Sequence, residues 1–201
     1  MINAFHDRPY IKLVNHVLAD GATKPSRPGI TTKSVFGYQM KFDLSDGTIP
    51  LLTTKKMFTR GVIHEIKWYL MGSDNIKYLN DNNVNIWNEW ADEHGSLGPV
   101  YGVMWRKWAD EHGNAIDQIA QLIDTLRSNP NDRRLLVSAW NVGQLSSMAL
   151  PPCHYTFQCY AEPLSLQDRV FEAGRRFHPT DIMQNTTPDT IEAWLNEIGI
   201  P

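Results

Sequence analysis

The chain has 201 residues, 42% of them hydrophobic, with seven each of Trp, Tyr and Phe and a formal net charge of -3. That is enough apolar material for one packed core and too little chain for two comfortable domains, and it excludes a disordered polypeptide. The slightly acidic balance excludes capture of nucleic acid by overall charge, so DNA is not expected as a substrate. No stretch approaches the ~20 apolar residues of a membrane span.

Residues 1–8 lack the apolar run of a signal peptide. Over 9–20, Tyr10, Ile11, Leu13, Val14, Val17 and Leu18 recur at helical spacing. Residues 21–32, rich in Gly, Pro, Ser and Thr, read as a loop. Residues 34–44 alternate like a strand, and Ser45-Asp46-Gly47 turns it. The clearest helix is 60–71, with Val62, Ile63, Ile66, Tyr69 and Leu70 as its apolar face. A short helix over 74–81 precedes an irregular, aromatic-rich region at 82–105. A second amphipathic helix spans 116–126, Pro130-Asn131-Asp132 breaks it, and 134–139 is strand-like. The run Tyr155-Thr156-Phe157-Gln158-Cys159-Tyr160 predicts a further strand. Helices over 164–174 and 188–198 are expected, joined by a polar loop around His178-Pro179-Thr180-Asp181. No internal repeat or low-complexity segment stands out.

The most informative motif is Ala149-Leu150-Pro151-Pro152-Cys153-His154. Two prolines fix φ and remove two backbone donors just ahead of a strand, so the thiol of Cys153 has a defined position and an open side. A nucleophilic cysteine needs that setting, although a thiol beside a strand also serves as a small buried hydrophobe. The two cysteines, six residues apart on one strand, cannot easily face each other, so both read as reduced thiols of a cytosolic protein. Glu65 sits inside an apolar helix. It is either turned to solvent or placed at a site edge, where partial desolvation lets a carboxylate move protons near neutral pH. Arg133 and Arg134 follow a turn, solvated or forming a fork for a phosphate. Trp87, Trp90, Trp105 and Trp108 divide between core and a flat apolar wall for a heterocycle.

In order and with consistent spacing, eight segments resemble thymidylate synthase. They are Arg27-Pro28-Gly29, Pro50-Leu51-Leu52-Thr53-Thr54-Lys55-Lys56, His64-Glu65, Asn85-Ile86-Trp87-Asn88-Glu89-Trp90, Leu97-Gly98-Pro99-Val100-Tyr101-Gly102, Asp132-Arg133-Arg134, Ser138-Ala139-Trp140-Asn141 and Leu150-Pro151-Pro152-Cys153-His154. The resemblance covers residues 9 to about 160 and implies an α+β fold, a mixed β-sheet packed with helices that dimerises back-to-back. It implies reductive methylation of dUMP to dTMP with 5,10-methylenetetrahydrofolate as co-substrate and reductant. Cys153 matches the nucleophile that adds at C6 of the pyrimidine, and Glu65 the proton-managing carboxylate. Arg27 matches a phosphate ligand of the same subunit, and Arg133 and Arg134 the pair that reaches the other subunit's phosphate. Tyr101 matches a residue lining the intermediate's pocket, and Ile86, Trp87 and Lys55 match the folate side. Asn141 and Asp117 fall at family-like positions with structural roles.

The resemblance then breaks. The family's Arg-Ser phosphate motif, its pyrimidine-reading Asn and its His/Tyr ribose pair have no counterpart, and Asp168-Arg169-Val170-Phe171-Glu172 departs from the family pattern. The expected organisation is a catalytic N-terminal part over 1–160 and a helical insertion or divergent tail over 161–201, as in relatives chiefly from phages. A cytoplasmic location (the host's cytoplasm if the chain is phage-encoded) and a homodimer, or a complementing C-terminal chain, follow as expectations. The 201 residues alone are expected to be a poor catalyst, because three of four clamp arginines are present. A nucleotide hydroxymethylase, with dUMP or dCMP as substrate, and a non-catalytic fragment that needs a partner remain open alternatives.

Overall fold

The computed structural model describes residues 7–26, 29–45, 47–176 and 187–199. Two compact units divide the chain, residues 1–63 and 64–201.

The first unit opens with helix α1 (Asp7–Asp20), where the apolar periodicity predicted it. Asp7 is buried at its start and accepts hydrogen bonds from the backbone N–H of Thr53, at 2.9 Å, and from the Thr53 hydroxyl. A carboxylate in the first turn of a helix has the favoured sign of charge. The expected loop over 21–32 instead contains strand β1 (Ala22–Pro25) and most of β2 (Thr31–Ser34), paired antiparallel with Ala22 opposite Ser34. The expected strand over 34–44 contributes only Ser34 to a ladder. Phe36, Tyr38, Met40, Phe42 and Leu44 alternate as predicted, but all are exposed. Alternation sets which side chains share a face; a strand also needs a neighbouring backbone, and 35–44 has none among the described residues.

Helix α2 (Thr59–Leu70) forms as expected, with a different face inward. Val62, Ile63, Ile66 and Leu70 are exposed, while Trp68 and Tyr69 are buried. The helix carries two apolar stripes. The one bearing Trp68 and Tyr69 removes more area from water, because an aromatic side chain buries 150–250 Å². Glu65 lies one turn before these residues, on the stripe that turns inward.

The second unit's core gathers Trp68, Leu79, Val84, Leu97, Val100, Met104, Leu135 and Val137. Around it stand α3 (Lys77–Asp81), α4 (Tyr101–Arg106), a two-residue pair β3 (Trp108–Ala109) and β4 (Ala115–Ile116), α5 (Gln118–Ser128), β5 (Leu136–Ser138) and β6 (Thr156–Gln158). Trp87 and Trp105 are buried, Trp108 half-buried and Trp90 exposed, so the aromatic region is divided between core and surface. The fold is α+β. Its described strands form three separate two-stranded antiparallel sheets, where a single mixed sheet was expected. Beyond β5 the next neighbour is the Gln118 side chain. Its amide accepts from Ser138 N–H at 3.0 Å and donates to the carbonyls of Ser138 at 2.8 Å and Met104 at 2.7 Å. One side-chain amide thus satisfies backbone groups of β5 that a further strand would otherwise pair.

The sequence does contain a repeat, contrary to the first expectation. Trp90-Ala91-Asp92-Glu93-His94-Gly95 recurs as Trp108-Ala109-Asp110-Glu111-His112-Gly113, and both copies fold into the same turn. Asp92 Oδ1 accepts from the N–H groups of His94 and Ser96 at 2.9 and 2.8 Å, and Asp110 Oδ1 from those of His112 and Asn114, both at 2.8 Å. Gly95 and Gly113 take φ of 79° and 81°, which a side chain would oppose. Hydrogen bonds from Ser96 and from Asn114, respectively, hold the two carboxyls below the usual carboxylate range.

Asp117 and Asn141 are structural, as expected. Asp117 caps α5 by accepting from Ala120 N–H, and it takes a forked ion pair from Arg106, Nη2 to Oδ2 at 2.7 Å. Asn141 caps a short 3-10 turn, Val142–Ser147. Burial pulls the Asp117 carboxyl upward, but Arg106 and the N–H of Ala120 outweigh it and hold the carboxyl below its ordinary value. A depressed folded value contributes stability that is complete above the unfolded carboxylate's pKa, about 4, and is lost as pH falls through the folded one. Asp117→Ala is expected to cost about 1–2 kcal/mol at neutral pH. In urea melts, the gap between variant and parent should narrow as pH falls below about 4, and a gap unchanged with pH would show that the ion pair contributes nothing.

Beyond β6, α6 (Leu166–Arg176) and α7 (Pro188–Glu197) make a small core of their own around Ala173 and Leu195. Thr187 and Thr190 form a reciprocal cap at the start of α7, with Pro188 following the cap. Arg169 is buried between the helices and reaches Asn196 at 2.6 Å and Glu192 at 3.4 Å. Both helices were predicted; the polar loop around His178 lies outside the described residues. Among the described residues no helix is long and apolar enough to cross a membrane.

Candidate active site

Cys153 is brought to its place by a close backbone approach. Gly98 has a φ of 70°, and a Cβ there would stand 2.3 Å from the Ser147 carbonyl oxygen, so only glycine fits. The contact lets Ala149 N–H donate to Leu97 O at 3.0 Å. The Pro151-Pro152 pair then carries the chain past α4, with Pro152 buried and Cys153 exposed. Tyr101, the first residue of α4, has its hydroxyl 2.7 Å from the backbone N–H of Cys153 and accepts from it. Cys153 therefore precedes β6 rather than lying within it, and its backbone is pinned by a phenol 52 residues earlier. Both cysteines are free thiols, with Cys159 half-buried.

Aromatic rings surround this point. The His154 ring lies 4.5 Å from that of Tyr101 and 6.2 Å from that of Tyr69, centroid to centroid. Tyr69 and Tyr101 are 4.8 Å apart, and the Trp87 ring is 6.3 Å from Tyr101. Glu65 is half-buried beside these rings. It accepts a hydrogen bond from Trp87 Nε1–H at 2.7 Å. Glu65 is thus not turned wholly to solvent: it is half-buried and paired with an indole.

Burial raises both phenols. For Tyr69, the negative charge of Glu65 adds to the burial effect and pushes the group far above its ordinary value. For Tyr101, burial is the larger influence and the hydrogen bond from Cys153 N–H opposes it, with the net shift upward. Both stay neutral through the physiological range and keep a proton to donate. Charge on Cys153 and on Glu65 acts on both phenols. The cluster thus joins a thiol, a carboxylate and two phenols across 89 residues of chain.

Of the five other residues expected at the site, the structure describes four. Ile86 adjoins Trp87 and is exposed, leaving an apolar patch next to an indole whose N–H is already satisfied. Arg133 and Arg134 are exposed at the start of the β5 segment, and no ion pair engages either guanidinium among the described residues. The Arg134 backbone is held by Asp132, N–H to Oδ1 at 2.7 Å, and Arg133 lines a cleft of about 350 Å³ with Gln158 and Tyr160. Lys55 is exposed in the first unit. Arg27 lies outside the described residues. Among the described residues no group of three or more His, Cys, Asp or Glu is placed to hold a metal ion. Periodicity alone placed Tyr69 on an apolar face and missed its hydroxyl; the available signal was its four-residue spacing from Glu65 on one helix.

The thymidylate synthase family model matches residues 8–171 of this chain.

Proposed function

The chain belongs to the thymidylate synthase family, and from that premise we propose that it carries the nucleophile and the proton-managing carboxylate for reductive methylation of dUMP to dTMP. The family's enzymes are methyltransferases of nucleotide biosynthesis that use methylenetetrahydrofolate, bind dUMP and are typically dimeric. The observation that carries the proposal is the grouping of Cys153, Tyr101, Tyr69 and Glu65, with Cys153 exposed and its backbone held by Tyr101.

Cys153 Sγ, as thiolate, bonds C6 of the pyrimidine, and the electrons of the C5=C6 bond move toward C5 and the adjacent carbonyl. That makes C5 the nucleophile that uracil otherwise lacks. When bound, methylenetetrahydrofolate supplies the one-carbon unit and the hydride. Ile86 and the Trp87 face fit such a flat group, since they offer apolar surface beside a carboxylate and present no unsatisfied donor. Trp87 also keeps water from the transferred carbon. Glu65 moves protons to and from the pyrimidine through water, and Tyr101 holds Cys153 so that Sγ stays aimed at C6. Sγ leaves again as the C5=C6 bond re-forms. Arg27 neutralises phosphate in its own subunit, and Arg133 and Arg134 neutralise the phosphate bound by the partner. Lys55 serves the folate side.

The test uses the 5-fluoro analogue of dUMP, whose C5 fluorine cannot leave as a proton does, so the C6 adduct persists. With methylenetetrahydrofolate present, intact-protein mass should rise by the mass of both ligands, and peptide mapping should place the bond on Cys153. Protein that binds the nucleotide yet shows no covalent mass gain would overturn the proposal.

A further inference from the structure

The β5–β6 ladder ends where the arginine pair begins. Its register sets Ser138 opposite Thr156 and Leu136 opposite Gln158. One step on, Cys159 N–H donates to Leu135 O at 2.8 Å, and there the backbone pairing between the two segments stops among the described residues. Arg133 O lies two residues further and is met by a side chain instead: Gln158 Nε2–H donates to it at 2.8 Å, across 25 residues of chain. Arg134 is held from within its own segment. Asp132 Oδ1 accepts from its N–H at 2.7 Å, and Leu136 N–H donates to its carbonyl at 2.7 Å. Phe157 and Cys159 pack on the core, so alternation puts Thr156 and Gln158 together on the opposite face of β6. Both donate to backbone carbonyls of the facing segment, Thr156 Oγ1 to Val137 O at 3.0 Å and Gln158 to Arg133 O.

We propose that Gln158 is a positioning residue for nucleotide binding: its side-chain amide anchors the Arg133–Arg134 turn to the strand that leads from Cys153, and so fixes where the two guanidiniums start. This rests on the reading of Arg133 and Arg134 as phosphate ligands. The Gln158 hydrogen bond is exposed. Holding a long, flexible side chain in one rotamer costs about as much as such a bond contributes, so the contact adds little to folding stability. Its effect is local. The Asp132 bond lies within the turn and sets its shape; the Gln158 bond reaches another strand and sets its place. A guanidinium binds phosphate through two parallel N–H groups, and that fork loses its match when its backbone anchor drifts by an ångström. β6 starts three residues after Cys153. The same strand thus follows the nucleophile at one end and anchors the arginines at the other.

The test is Gln158→Met in the dimer of the full chain, which keeps the side chain's length and deletes its donor. Calorimetric titration with dUMP and with deoxyuridine, the same nucleoside without phosphate, reads the effect. The expected result is a Kd for dUMP raised about tenfold and a Kd for deoxyuridine within about twofold of the parent's. In turnover the loss should appear in the KM for dUMP, with kcat within about twofold. Thr156→Val, which deletes the sister hydrogen bond on the same face, should leave both affinities unchanged. On a background of Arg133→Ala with Arg134→Ala, Gln158→Met should change dUMP affinity by less than about twofold, because the groups it positions are gone. Parental dUMP affinity in Gln158→Met, an equal loss for deoxyuridine, an equal loss in Thr156→Val, or a full loss that persists on the arginine-free background would overturn the proposal. Parental dUMP affinity in the double arginine variant would refute the phosphate reading itself. A weakened double arginine variant beside an unaffected Gln158→Met would refute the positioning role alone.

Discussion

Cys153→Ala is expected to abolish turnover in the active enzyme, by several decades at least, because addition at C6 has no substitute group. The proposed chemistry begins with an Sγ–C6 bond, and the only other thiol, Cys159, is half-buried beyond β6. Its backbone N–H is tied to Leu135 O at 2.8 Å, in the pairing that continues the β5–β6 ladder. Cys159→Ala should therefore leave turnover intact and cost packing only, about 1–2 kcal/mol. Cys153→Ala should also fail to gain mass with the 5-fluoro analogue, although it still binds nucleotide. The exposed setting of Cys153 makes the comparison clean, because removing its thiol opens no cavity in the core. Turnover at the parental rate in Cys153→Ala would place the nucleophile elsewhere and end the mechanism proposed here.

Mixing Arg134→Ala with Cys153→Ala subunits should raise activity well above that of either homodimer. The expectation follows from the proposal that Arg133 and Arg134 reach the phosphate bound by the partner. Their exposure and lack of an ion pair among the described residues suit that role, because neither guanidinium is committed inside its own chain. A charge-assisted phosphate contact is worth roughly 1.5–3 kcal/mol, so losing one in each site lowers activity about tenfold to a hundredfold. In the mixed dimer, one site pairs an intact Cys153 with an intact arginine pair from the neighbour. Its yield should approach half of the parental activity per heterodimer. The measurement is turnover after subunit exchange, with heterodimers counted by native mass spectrometry. Heterodimers that form and stay inactive would show that the arginines serve their own subunit or have no part in the reaction.

The amino-acid sequence determined the family and the local elements. Pro151-Pro152-Cys153 marked the thiol, the motif series marked Glu65, Trp87 and Tyr101, and helical periodicity placed α1, α2, α5, α6 and α7 within a few residues. Those features depend on neighbours in the chain: a residue's type, its spacing along a helix, a fixed φ at proline. Tertiary structure alone decided which stripe of α2 faces inward, because two apolar stripes compete and only the packed core selects Trp68 and Tyr69. It likewise left 35–44 without a ladder and paired the Gly- and Pro-rich segment on either side of Arg27, since strand pairing is a property of two segments and alternation is a property of one. The repeated Trp-Ala-Asp-Glu-His-Gly turn was legible from the residues themselves, because two identical hexapeptides 18 residues apart need no tertiary information to be seen. The junction of Glu65 with Tyr69, and of Tyr101 with Cys153, is decided the same way. One joins neighbouring turns of a helix only once that face is buried. The other spans 52 residues and exists only because Gly98 lets two backbones approach closely enough to bring the phenol to the thiol's N–H.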